Sequence, residues 1–287
     1  MKPFTIYHSF IESFTPQQEK LVSLITGLAR PDMVYLLGAS LYRRRSESIF
    51  NPEAPTSQLT ADYFFLVLLK GFEGKDPYEW QDKIEQQCSS FMPVTVIVLD
   101  TGTFTQWVET GHRFAGLVVQ SAVAIYDAGT ISFSPAATQD DTAALKAAEK
   151  YCKEGLVRAK EFLAGAELFR VRNQNKMAAF MLHQATEHAL HALLKGGTGY
   201  HTHTHSIERL VRYGSLVSYQ LPDIFPRKTE QDKRLFALLQ KAYVEARYKE
   251  DYSISVSDLL LLTEKVRHLQ DIVADMAKSL FPKTIIG

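Results

Sequence analysis

Six of the nine histidines fall between His183 and His205, and three of them alternate through GYHTHTHSIERLVRYG (199–214). Imidazole changes charge near pH 6.5, so a cluster of this kind raises two chemistries, proton transfer and metal binding. His188 and His191 are three apart and share a face if their stretch is helical. His201, His203 and His205 share one only if theirs is extended. A zinc site wants four ligands, or three and a water, in tetrahedral array with supporting partners. The acids nearby are few, Glu187 and Glu208. The expectation is therefore no metal, and GGTGYHTHT is read as a flexible loop between two helices, ending at a loop-to-helix junction.

A second set of reactive types lies in EARYKEDYSIS (245–255). Tyr243 and Arg247 are four apart on one helical face, as are Tyr248 and Tyr252 if the helix runs that far. Rings for a base beside a guanidinium for a phosphate make Arg247, Lys249, Tyr252 and His205 candidates for an anionic site. The ordinary alternative buries the tyrosines between helices and pairs Arg247 with Glu250 or Asp251. A third set is VYLLGAS (34–40) followed by TADYFFLVLL (60–69), which places Gly38 and Ser40 in a tight loop and Asp62 at the start of the next strand. The arginines at 43–45 offer bidentate phosphate contacts, or simply a solvated charge run.

These groups need scaffolding, and the chain has the material for it. It has 287 residues, 46% of them hydrophobic, with 32 charges of each sign and formal net charge +0. The overall field announces no nucleic-acid binder, though a local basic patch is compatible with it. Cys88 and Cys152 are too few for a disulfide framework and are read as small buried hydrophobes. The N-terminal stretch is broken by polar residues and is not read as a signal peptide. No apolar run is long enough to span a membrane, so a cytoplasmic protein is expected.

The first half alternates helix and strand signals. Thr15, Pro16 and Gln18 open a helix as cap, first residue and capping-box partner. Apolar runs at 33–40, 62–71 and 93–102 read as buried strands, PYEWQDKIEQQCSS (77–90) as a helix, and the stretch to Tyr126 as two short helices and a last strand. From 136 onward five helical patterns follow without a strand, at 138–169, 174–195, 205–218, 229–248 and 256–280. The fourth opens with TEQD and the fifth with SVSD, both capping sequences. Polar SFSPAATQDDTA (132–143) is the expected linker. The fold class is α+β: an α/β domain over 1–131, then an all-α bundle over 132–287.

About 140–280 resembles a HEPN domain, a helical bundle named for nucleotide binding in higher eukaryotes and prokaryotes. The resemblance rests on AAFMLHQATEHALHALLK (178–195), with Phe180, Gln184, Ala185 and Glu187 in the family's second-helix pattern, and on 204–214 and 234–255. About 20–128 resembles the minimal nucleotidyltransferase domain often paired with or fused to HEPN. That resemblance implies a Gly-Ser loop holding triphosphate, and carboxylates holding two Mg²⁺ ions. Gly38, Ser40 and Asp62 fit; Phe64 takes the second carboxylate's place, no acid lies between Pro93 and Leu99, and Asp100 comes only at the strand's end. The expectation is a catalytically degenerate fold, with Mg²⁺ as cofactor only if this domain is active.

Ribonuclease members of the HEPN family carry an arginine, then four to six intervening residues, then a histidine. Arg247 matches the arginine, but Tyr252, Ser253 and Ile254 occupy the later slots, and tyrosine, with a pKa of about 10, is a poor base near pH 7. A histidine just before the third helix recurs in the family, and His205 fits it, as a cap or facing the groove. The resemblance implies a homodimer through the HEPN helices and a nucleotide- or RNA-binding regulatory role of toxin–antitoxin origin. The alternatives are an active nucleotidyltransferase using Asp62 and a protein-interaction scaffold without a small ligand.

Overall fold

A computed structural model describes residues 16–44, 57–133 and 141–281. The chain forms two compact units, Met1–Gln139 and Asp140–Gly287. In the first, α1 (Pro16–Ala29), α2 (Pro77–Ser89), α3 (Thr101–Glu109) and α4 (Arg113–Ser121) accompany a sheet of β1 (Met33–Arg44), β2 (Ser57–Leu69), β3 (Val94–Asp100) and β4 (Val123–Asp127). The strand order is β3-β2-β1-β4, with β2–β3 parallel and the other pairs antiparallel, so the sheet is mixed.

The central strand shows why its sequence is unbroken in hydrophobicity. From Tyr63 to Leu69 every residue is buried. Tyr63, Phe65, Val67 and Leu69 join a core with Leu21 and Ile25 of α1 and Trp80, Ile84 and Cys88 of α2. Side chains alternate across a strand, so Phe64, Leu66 and Leu68 face the other side. A strand covered on both faces loses the apolar–polar alternation.

Three expectations about this unit change. Gly38–Ser40 is not a loop; it lies inside β1, with Gly38 opposite Phe64 and Ser40 opposite Asp62. The apolar Leu41 and Tyr42 continue the strand, and register shifts between Leu36 and Gly38 and between Ser40 and Leu41 absorb the small residues. Arg43 and Arg44 belong to the same strand rather than following a loop, while Arg45 and the cap Thr15 lie outside the described residues. Gln18, the expected capping-box partner, is buried. β3 stops at Asp100 because Asp100 caps α3, accepting from the Thr103 amide at 2.9 Å.

At the base of the sheet, buried Asp32 accepts from the Thr101 hydroxyl at 2.6 Å and the Thr130 hydroxyl at 2.7 Å. Its amide donates to the Leu68 carbonyl and its carbonyl accepts from the Ala128 amide.

The elements of the second unit's described residues are all helices: α5 (Asp141–Val171), α6 (Asn175–Thr198), α7 (Ile207–Gly214), α8 (Leu221–Ile224), α9 (Glu230–Lys241), α10 (Glu245–Tyr248) and α11 (Val256–Leu280). α5 and α6 form an antiparallel hairpin, and α11 packs on both. The hairpin is close at Gly155, where an added Cβ would stand 2.9 Å from that of Ala192. The expected linker is shorter than read, since α5 already begins at Asp141.

The TEQD capping box is present, Thr229 and Asp232 bonding reciprocally. In SVSD, Ser255 accepts from the Asp258 amide, but the Asp258 carboxylate binds Arg234 of α9 through two bonds of 2.6 and 2.9 Å. The expected helix 229–248 is interrupted at 242–244, and the short α8 was not expected. No described helix is long and apolar enough to cross a membrane.

Candidate functional site

The histidines gather on α6 and the segment after it, around one acid. Glu187 is buried, and His183 and His191 lie one turn to either side of it. Its Oε1 is 3.0 Å from His205 Nδ1 and 4.0 Å from His191 Nε2; its Oε2 is 3.5 Å from His183 Nδ1. Gln184 Nε2 donates to Oε2 at 3.2 Å. The His205 and Gln184 contacts are hydrogen bonds to the carboxylate; His183 and His191 lie at looser, electrostatic distance. Among the described residues no three His, Cys, Asp or Glu side chains converge as a metal ion requires.

Burial lowers His183 to about 3 and His191 to about 4. The nearby Glu187 does not offset the loss of water, so both rings are neutral near pH 7. His188 turns away from His191 and stacks on Phe162 of α5, with ring centroids 5.0 Å apart.

The segment after α6 is not the flexible loop its glycines suggested. α6 continues through Gly196 and Gly197 and ends at Gly199, whose φ of 81° is the left-handed cap conformation glycine permits. Gly197 is in the helix because a Cβ there would stand 2.6 Å from Val217 Cγ1. The next cap is Ser206, whose hydroxyl accepts from the Arg209 amide, so His205 does not cap α7. It faces the groove.

There His205 stacks on Tyr243, centroids 4.4 Å apart and planes 17° apart. His183 and Phe180 approach the same ring at 5.2 and 6.5 Å. Arg247 stands over three rings, its Cζ 4.5 Å from the centroid of Tyr243, 4.9 Å from Tyr248 and 5.0 Å from Phe180. Its Nε donates to the Tyr243 carbonyl at 2.6 Å. The helix break at 242–244 thus keeps the four-residue relation that brings Arg247 onto Tyr243. Arg247 is exposed, and it pairs with neither Glu250 nor Asp251; no carboxylate of the described residues lies within 4 Å of it. An open cleft of about 350 Å³ lies beside this stack, walled by His205, Tyr243, Lys241, Glu245 and Lys249. Lys249 reaches Glu245 at 2.8 Å.

Tyr252 is not part of this surface. It is buried, its hydroxyl donates to the Leu238 carbonyl at 3.0 Å, and burial raises its pKa far above the usual tyrosine range. The chain after α10 is held down by Lys176, whose ammonium donates to the carbonyls of Lys249 and Glu250. Tyr252 therefore turns into the bundle. The structure brings Arg247, Lys249 and His205 together and removes Tyr252. It keeps Tyr243 as the ring beside Arg247, and adds Phe180 as a further ring and Glu187 as the anchor of His205. The signal for that anchor was present: His183, Glu187 and His191 recur every fourth residue on one helical face.

In the first unit, Asp62 Oδ2 accepts from the Thr95 hydroxyl of β3 at 2.8 Å. Asp100 uses both oxygens locally, Oδ1 on the Thr103 amide and Oδ2 on the Gly71 amide. The parallel register sets Asp100 opposite Leu69, seven positions along β2 from Asp62, roughly 23 Å away at the rise of a strand. Gly38 and Ser40 stand beside Asp62, but as strand residues.

The family model of the HEPN domain matches residues 152–275. No curated protein matches the chain. Among solved structures, the chain is similar to a nucleotidyltransferase-like protein from Exiguobacterium sibiricum 255-15, at 10% identity and a TM-score of 0.30, over 93% of this chain and 78% of that one. A likeness of that degree transfers no residue roles.

Proposed function

With a HEPN domain as its C-terminal unit, we propose that this protein binds a nucleotide or nucleic acid through the groove at Arg247, Tyr243 and His205. The observation that carries this reading is Arg247: an exposed guanidinium laid against three aromatic rings with no carboxylate to neutralise it. Arg247 and Lys249 offer charge to a phosphate, and the Tyr243–His205 stack offers a surface to a base. Losing a charge-assisted phosphate contact costs about 1.5–3 kcal/mol. Arg247→Ala should therefore weaken binding of a nucleotide or short RNA roughly ten- to hundredfold in titration calorimetry. Equal affinity in the two proteins, both folded by circular dichroism, would remove the site from Arg247.

We read the first unit as a nucleotidyltransferase-like fold without transfer activity. Two catalytic metal ions sit about 4 Å apart and need acids that share them. Asp62 has Phe64 where a second acid is needed, and Asp100 lies at the far end of the strand pair. Incubation with labelled ATP, GTP, CTP or UTP and Mg²⁺ should leave protein and acceptors unlabelled. Transfer abolished by Asp62→Asn would establish the active-enzyme reading instead. The regulatory role of toxin–antitoxin origin and the homodimer follow from the family resemblance.

A further inference from the structure

Threonine and histidine alternate after α6, and the two residue types do different work. Thr202 is buried, and the hydroxyls of Thr202 and Thr204 accept from the amides of Thr204 and Ser206 at 3.4 and 3.2 Å. The threonines thereby hold the backbone, while His203 and His205 take the exposed positions between them and His201 is half-buried. His205 belongs to the Arg247 groove. His201 and His203 belong to something else.

His201 and His203 meet edge to face, centroids 4.8 Å apart. His201 also meets the ring of Tyr151, from α5, edge to face at 6.2 Å. Over Tyr151 lies the ammonium of Lys195, 4.0 Å from the ring centroid. No carboxylate of the described residues is within 4 Å of that ammonium. Burial and the Lys195 charge both lower the pKa of His201, which favours an uncharged ring. The theme of the Arg247 groove recurs in smaller form: an unneutralised cation over a tyrosine ring, with imidazole rings beside it. The two sets are linked through His191, whose ring lies 5.6 Å from that of His201 and 4.0 Å from the Glu187 carboxylate that His205 engages. Four residues separate His201 from His205, so their backbones are at most about 14 Å apart.

We propose that Lys195, Tyr151, His201 and His203 form a second cation–aromatic subsite, and that the two subsites together hold successive nucleotides of one single strand. The proposal rests on the reading of the Arg247 groove as a phosphate and base site, and it decides between a mononucleotide and a polymer as ligand. Single strands are held in this way, by cations tracking the backbone and rings stacking on unpaired bases of any sequence. A free nucleotide occupies one subsite only. A duplex keeps its bases stacked on each other and offers no face to either ring set.

The test is fluorescence anisotropy on the full chain with a labelled single-stranded hexaadenylate, and with AMP and a stable G·C-rich hairpin duplex as competitors. The wild-type protein should bind the single strand at least tenfold more tightly than AMP or the duplex. Lys195→Ala should weaken the hexamer roughly tenfold and leave AMP unchanged, since a stacked base with its phosphate contact is of that order. His203→Ala, at an exposed position, gives a second reading should Lys195→Ala perturb folding. Arg247→Ala should weaken both ligands. If AMP and hexamer bind alike, if the duplex competes equally, or if neither Lys195→Ala nor His203→Ala affects the hexamer, the second subsite is overturned and the Arg247 groove stands. If wild type binds neither AMP nor hexamer, the groove reading itself fails and takes this inference with it.

Discussion

Arg247 and Tyr252 are five residues apart and answer to different forces. Arg247 keeps its charge in water and lends its flat face to rings; Tyr252 gives up water for the core and a carbonyl. Tyr252→Phe should leave ligand affinity unchanged and lower stability by about 1 kcal/mol, the net value of one hydrogen bond, read from denaturant midpoints. The buried histidines make a second residue-scale prediction. In the unfolded chain His183 and His191 protonate near 6.5; folded, they stay neutral down to about 3 and about 4. Between these values the unfolded chain holds more protons, so stability falls as pH drops from about 6.5 toward 4. Each group contributes roughly 1.4 kcal/mol per pH unit there, and above about pH 7 neither contributes any slope. Urea melts at pH 7.5, 6 and 5 should show the loss, and His191→Gln should flatten it. In the sequence Arg247 and His205 stand out as candidates for an anion-binding site, Arg247 through its four-residue spacing from Tyr243, and both lie against that ring. Tyr252 was misread because its direction depends on Lys176, 76 positions earlier, holding down the chain before it.

Helices were the most legible elements, because their caps and apolar faces are written locally. Breaks and strand continuations were less so. Nothing in Ala242, Tyr243 or Val244 forbids a helix; the interruption is set by packing. Gly38–Ala39–Ser40 has the composition of a loop, yet pairing with β2 carries it through as strand. The glycines of the α5–α6 hairpin yield an element-scale prediction. Alanine in place of a helical glycine gains up to about 1 kcal/mol in propensity, whereas overpacking costs about 1–3 kcal/mol. At Gly155 the new methyl meets Ala192 Cβ at 2.9 Å, an atom fixed to backbone that cannot swing aside. At Gly165 the nearest atom is Met181 Sδ at 3.6 Å, an ordinary contact. Gly155→Ala should therefore destabilise and Gly165→Ala stabilise, in thermal melts of the two variants side by side.

At the scale of the whole molecule, the expected homodimer has a concrete surface to use. Val157, Leu168 and Val171 of α5 fall on one helical face and are 59%, 56% and 70% exposed. Light scattering should give about twice the 32.4 kDa of one chain. Val157→Glu with Leu168→Glu should halve that mass without loss of helicity; an unchanged dimer would place the interface elsewhere. The first unit is tied at Asp32 to Thr101 and Thr130, 69 and 98 residues away. On the ribosome this matters. Until residue 130 has emerged, a carboxylate destined for the interior lacks one of its donors, a state that costs several kcal/mol and keeps the sheet from locking. The first unit must therefore wait, nearly complete but unlocked, until almost its last residue has emerged. That places its moment of greatest need for a chaperone just before the helical unit emerges.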